Sequence, residues 1–117
     1  MQLQELAKAV QRLGDALAQP KNEYLRDSVI QRFEFCVELA WKTARRVMGS
    51  GTSAPKDVIR EMAQSAYISD VDQWLRAIDI RNLPSHTYRE DIAETVYDFA
   101  SRFHPELQRL ASALDRK

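Results

Sequence analysis

YLRDSVIQRFEFCVELAWKTARRVM, residues 24–48, is an unbroken run without glycine or proline. Leu25, Val29, Phe33, Cys36, Ala40 and Val47 fall on one helical stripe, and Ile30, Val37, Trp41, Ala44 and Met48 lie beside it. Spacings of three and four mark an amphipathic helix. Two adjoining stripes make the apolar face wide, as in a helix that other helices surround. At 1.5 Å per residue the run spans about 37 Å. Gly49-Ser50-Gly51 ends it, since glycine readily takes the left-handed cap conformation.

The rest of the chain shows the same period. Leu3, Leu6, Val10, Leu13 and Leu17 predict a helix over about 3–18, stopped by Pro20. Pro55 suits a first helical turn and opens a short helix over about 55–65, with Val58, Ile59 and Met62 buried. A further helix starts after Ser69, with Ser69 and Asp72 as a weak capping box, and stops near Leu83 because Pro84 follows. Ile92, Ala93, Val96, Tyr97, Ala100, Phe103, Leu107, Leu110 and Leu114 predict a last helix over about 90–114. Pro105 lies inside it, so a kink or short break is expected near Arg102 to His104. No strand pattern, internal repeat or low-complexity tract interrupts the series. The expected fold is all-α: one domain over 1–117, an up-and-down four-helix bundle with one additional short helix.

Composition narrows the function. The 117 residues can bury a core without staples. Lys+Arg and Asp+Glu are 17 each, so no global basic field exists to coat nucleic acid. Cys36, the single cysteine, excludes an internal disulfide and a cysteine-rich metal site, and its apolar face makes it a core residue. Met1 to Val10 carries no signal-type apolar block, and no run reaches the length of a membrane span. A cytoplasmic protein without a membrane anchor is expected.

The chemistry concentrates in Arg81-Asn82-Leu83-Pro84-Ser85-His86-Thr87-Tyr88. Arginine offers a rigid fork of donors suited to phosphate, and histidine moves protons near neutral pH. Together they are the tools for cleaving RNA without a metal. On a continuous helix five residues turn through about 140° net, so the two side chains would not share a face. A break at Pro84 lets both turn to one spot. The residues alone allow this reading but favour a helix-end arginine near the C-terminal dipole with an unrelated loop histidine.

Arg-Asn-x-x-x-His-x-Tyr resembles the signature of the HEPN superfamily, in the branch encoded beside minimal nucleotidyltransferases and known as nucleotidyltransferase substrate-binding proteins. Arg26 to Phe35, continuing through Glu38-Leu39-Ala40-Trp41-Lys42, is similar to that branch's long second helix. Ser53 to Glu61 resembles its short middle helix. The resemblance implies a HEPN-type, metal-independent RNase toxin of a toxin–antitoxin pair, releasing 2′,3′-cyclic phosphate ends. Arg81 would hold the scissile phosphate, His86 would act as general base or acid, and Asn82 would orient the phosphate or the histidine. It also implies a separate minimal nucleotidyltransferase as antitoxin partner, with Tyr88 as the acceptor of AMP. The plain alternative for Tyr88 is a ring that only packs at the start of the last helix.

The family looks dimeric, and Phe35 with Leu39, on the polar side of the second helix, are the expected contacts of a homodimer. Carboxylates Asp27, Glu34 and Glu38 read as a solvated or ion-paired face with Arg32 and Lys42 as partners, while Asp27 and Gln31 are candidates to support Arg81. Trp41 and Trp74 read as core, and His104 as structural or exposed. His86 and His104 are the only imidazoles, and no ligand spacing suggests a metal or cofactor. A second function fits the same residues: a non-catalytic subunit that presents a nucleotide or other substrate to the nucleotidyltransferase. A third, a bare dimerisation bundle, leaves the motif without a role.

Overall fold

Residues 2–83 and 89–116 are described by the computed structural model, in five helices with no strand among them. They are α1 (Gln2–Leu17), α2 (Glu23–Met48), α3 (Pro55–Gln64), α4 (Val71–Arg81) and α5 (Glu90–Asp115). The expected break at Pro84 lies outside the described residues.

The long helix α2 organises the fold, packing against each of the other four helices, while α1 and α5 also pack against one another. Its ends are fixed locally. Asn22 accepts a hydrogen bond from the Leu25 N–H at 2.8 Å, satisfying one orphan donor of the first turn. At the other end Gly49 takes φ 65°, and the Ser50 N–H reaches back to the Arg45 carbonyl, the six-to-one bond of a Schellman cap.

The core draws buried side chains from all five helices, and its aromatic part sits where α2, α4 and α5 meet. Phe33 packs edge-on against Phe99 and Phe103 at 5.8 and 6.3 Å, and Trp74 meets Phe103 edge-on at 4.7 Å. Such edge-to-face pairs each add about 1 kcal/mol beyond the area they bury. Trp41 and Trp74 are both core, as expected, and Cys36 is fully buried. Burial pushes the Cys36 thiol up to about 12, so it stays protonated and unreactive at neutral pH.

Three local expectations change. The cap of α4 is Asp70, whose carboxylate accepts from the Gln73 N–H at 3.1 Å, and not Ser69. Of the kink or short break expected at Pro105, no break occurs, and helix α5 runs on through it. Phe103 and Leu107, fully buried on either side of it, anchor both halves to one core, which offsets the lost hydrogen bond to the Ser101 carbonyl. Leu39, expected on the polar side, is 9 % exposed and belongs to the core. A helix with four neighbours buries a wider arc than its apolar stripes delimit.

His104 has a defined structural part. Its Nε2 lies 3.0 Å from the Val10 carbonyl, so the Nε2–H tautomer donates from α5 to α1. Gly14 makes room for the ring: a Cβ there would lie 2.8 Å from His104 Cε1. Gly14→Ala should gain about 0.5–1 kcal/mol of helix propensity. Against this stand about 1 kcal/mol for the His104 bond and about 1–3 kcal/mol of overpacking. The expected net effect is a destabilisation of about 1–3.5 kcal/mol, a fall in melting temperature of about 4–14 °C. An unchanged or higher melting temperature would show that the ring swings aside without cost.

Candidate functional site

Arg81 closes the last turn of α4, where a cation complements the exposed carbonyls of the helix end. Asn82 follows as the C-cap. Its N–H bonds to the Ile78 and Asp79 carbonyls at 3.0 and 3.2 Å, and its side chain is exposed. His86 and Tyr88 lie outside the described residues.

The partner of Arg81 is Glu38 of α2. Arg81 Nε stands 2.9 Å from Glu38 Oε2, both side chains a third exposed. The Nε–H is not aimed at that oxygen, so the contact is an ion pair and not a directed hydrogen bond. Glu38 gathers two more donors: Trp41 Nε1 at 3.4 Å and Lys42 Nζ at 3.2 Å. One carboxylate thus gathers a guanidinium from α4 and an indole and a lysine from α2.

The expected supports of Arg81 are elsewhere. Asp27 pairs with Arg26, Oδ1 to Nε at 3.5 Å. Gln31 lines a groove of about 310 Å³ between α1 and α2, with Glu5, Lys8, Arg12, Arg32 and Phe35. Phe35 is 59 % exposed on the edge of that groove, whereas its expected companion Leu39 is internal. Glu38 does pair with Lys42, as the i,i+4 spacing suggests. Its second cation, Arg81, comes from a different helix, and no local pattern announces it.

The other flank of the motif carries a cluster that sequence reasoning missed. Arg26 is 7 % exposed and grips the first turns of α5. Its Nη1 lies 2.5 Å from Glu90 Oε2 and 3.2 Å from Glu94 Oε2, and its Nη2 lies 3.2 Å from Glu90 Oε1. Lys21 also pairs with Glu94 and stands over the Tyr97 ring at 4.5 Å. These bonds lower the carboxyls of Glu90, chiefly through Arg26, and of Glu94, chiefly through Lys21 and then Arg26. A signal existed: Arg26 stands four before Ile30 on the register of Ile30, Phe33, Val37, Ala40 and Ala44. A cation on a buried stripe demands carboxylate partners.

Known proteins agree with this architecture. The family model described as "Nucleotidyltransferase substrate binding protein like" matches residues 1–116. A Haemophilus influenzae protein named "Probable ribonuclease HepT" is 36% identical over 76 residues, 58% of this chain and 52% of the relative. The match thus spans about half the length of that curated relative. The structure of HI0074 from Haemophilus influenzae, described as revealing the fold of a substrate binding domain of a nucleotidyltransferase, superposes with a TM-score of 0.85. That comparison has 28% identity and covers 97% of this chain and 98% of the other. A protein of Thermus thermophilus gives a TM-score of 0.76 at 28% identity, over 95% and 96% of the two chains.

The chain belongs to the nucleotidyltransferase substrate-binding family, the HEPN-type branch to which its motif blocks are similar. Among the described residues no helix is long and apolar enough to cross a membrane.

Proposed function

We propose that this protein is a metal-independent endoribonuclease of the HEPN toxin type, working as a homodimeric up-and-down bundle in the cytoplasm. A partner minimal nucleotidyltransferase restrains it as antitoxin. The observation that carries the reading is Arg81, a partly exposed guanidinium held by Glu38 at the end of α4, five residues before His86. Arg81 binds the scissile phosphate and offsets the charge that builds on it. His86 takes the proton of the 2′-hydroxyl, whose oxygen attacks phosphorus. The 5′-oxygen leaves with a proton, giving a 2′,3′-cyclic phosphate. Asn82, exposed at the cap, orients the phosphate or the histidine. The test is cleavage of RNA by purified protein in excess chelator, with the cyclic ends identified by mass.

A second reading is favoured by the description of HI0074 as a substrate binding domain. The same residues would then hold a nucleotide or other substrate for the partner enzyme without cutting it. Absence of cleavage, together with nucleotide binding that depends on Arg81, would select this reading.

The homodimer has its own support. Phe35 is a large apolar side chain, 59 % exposed, beside a groove on the same face. A two-fold axis there would let each Phe35 enter the partner's groove, since isologous contacts pair a patch with itself. Sedimentation should give twice the 13.5 kDa chain mass. Phe35→Ser should weaken the dimer by about 30-fold, the effect of losing an aromatic anchor. A wild-type monomer at micromolar concentration would remove this interface.

A further inference from the structure

Arg12 of α1 and Arg32 of α2 stand together between two grooves and line both of them. Both side chains are exposed. Arg32 is steadied by its own helix, its Nε donating to Ser28 Oγ at 3.1 Å, which leaves the terminal nitrogens to solvent. Among the described residues neither guanidinium has an ion pair. Carboxylates that Arg32 could draw on along α2 are engaged elsewhere: Asp27 pairs with Arg26, and Glu38 with Lys42 and Arg81. Helix packing thus holds two like charges side by side without a counter-ion. An anion laid between them removes that repulsion, and the guanidinium fork suits a phosphate.

We propose that Arg12 and Arg32 form a phosphate clamp that holds the RNA strand outside the Arg81 site. The identity of the anion rests on the nuclease reading, but binding can be measured without cleavage.

The surroundings favour a strand over a small anion. One groove carries Phe35 and belongs to the proposed homodimer contact; the other, of about 360 Å³, opens beside Leu25 and Ser28 on the far side of the arginines. Glu5 borders the first and Asp15 the second. These carboxylates repel an anion from either groove and leave the arginine ridge as the place to hold one. Lys8, one turn before Arg12, adds a third cation on the Phe35 side.

Position on α2 ties the clamp to the chemistry. Arg32, Phe35 and Glu38 follow one another at intervals of three, a row of neighbouring side chains on the helix surface. The row rises about 9 Å, and Glu38 at its end holds Arg81. A strand whose scissile phosphate lies on Arg81 is therefore within reach of Arg32, and of Arg12 beside it. Contacts of this kind position the backbone and carry no sequence information. They add the local positive site that a chain with 17 cationic and 17 acidic residues does not supply through its overall charge.

The experiment measures binding of a 2′-O-methyl oligonucleotide, which lacks the nucleophile for its own cleavage, by fluorescence anisotropy over a salt series. Wild type is compared with Arg12→Gln, Arg32→Gln and the double variant. A control pair, Arg60→Gln/Arg116→Gln, removes the same charge from α3 and the end of α5. Glutamine keeps the helix propensity of arginine, so all should fold. Each single variant should weaken binding about 3- to 10-fold at low salt, alike for different sequences, and reduce the slope of log K against log salt by about 0.7; the double variant should reduce it by about 1.4. The control pair should bind as wild type does. Where RNA is cleaved, KM should rise with kcat unchanged, the mark of uniform binding.

Sedimentation separates the clamp from the dimer contact: the double variant should dimerise as wild type does. A weakened dimer would mean that the arginines pair across the two-fold axis, and would overturn the proposal. Equal weakening by the control pair, or wild-type binding in the double variant, would overturn it as well. Inorganic phosphate, titrated alone, should bind far more weakly than the oligonucleotide; equal affinity would reassign the pair to a free anion. If wild type binds the oligonucleotide through these arginines but cuts no RNA, the nuclease reading fails and the clamp stands. If wild type binds no oligonucleotide, the clamp falls.

Discussion

Arg81→Ala and His86→Ala should each reduce RNA cleavage by at least about 100- to 1,000-fold while leaving the helical circular dichroism unchanged. The magnitude follows from the chemistry assigned to each. A fixed donor aimed at developing charge contributes about 100- to 1,000-fold, and a placed proton carrier about 100- to 10,000-fold. The fold should survive the arginine change because Arg81 contributes no apolar core. Its side chain is a third exposed, and its pair with Glu38 is of the partly solvated kind, worth at most about 1 kcal/mol. Removing it leaves Glu38 with Trp41 and Lys42, so no carboxylate is stranded. The two changes combined should cost little more than either alone, because residues that act as a unit are non-additive. Cleavage that persists in both single variants, measured in chelator on the same RNA, would remove these residues from the reaction.

The fold was legible wherever one side chain's environment is set by its own helix. The stripes of α2 and α5, the glycine stop at Gly49 and the proline start at Pro55 are local signals, and the helices follow them. Legibility ends where a neighbour decides. Leu39 sits among Phe35, Glu38 and Lys42, yet tertiary packing buries it in the core. Pro105 is a helix breaker by its own chemistry, and core anchors on both sides hold α5 continuous through it. The turn after α3 carries no glycine. Ala66 takes φ 64° there, and the Tyr67 N–H bonds to the Met62 carbonyl, so a left-handed cap forms without its usual residue.

The site divides the same way. Arg81 and Asn82 are candidates that residue chemistry and family resemblance both single out. Glu38 could be seen as the i,i+4 partner of Lys42, but not as the anchor of Arg81, since that pair forms only once α4 lies on α2. Arg26 is the instructive omission. An arginine on an apolar register is a statement about partners not yet known, and Glu90 and Glu94 supply them from 64 and 68 residues away. A charged residue on a buried stripe therefore points to tertiary structure that no periodicity contains.

Tyr88→Phe should leave folding and RNA cleavage intact and abolish silencing by the partner nucleotidyltransferase. The phenol oxygen is the proposed nucleophile. It attacks the α-phosphorus of ATP, forms a phosphodiester to AMP and releases pyrophosphate, while its proton passes to a base. Phenylalanine keeps the ring and removes only that oxygen, so any packing of the ring at the start of α5 is retained. The added phosphate carries a negative charge, and Tyr88 is seven residues from Arg81 and two from His86. An anion tethered there competes for the donors that an RNA phosphate needs, so modification and substrate exclude one another by direct occupation. After incubation with partner and ATP, intact-mass analysis should show one added AMP on the wild type and none on the variant. Co-expression with the partner should then silence the wild type alone. Equal mass gain by the variant would place the modification on another residue. No gain in either, with silencing preserved, would mean that the partner acts by binding, and the substrate-presentation reading would then take precedence.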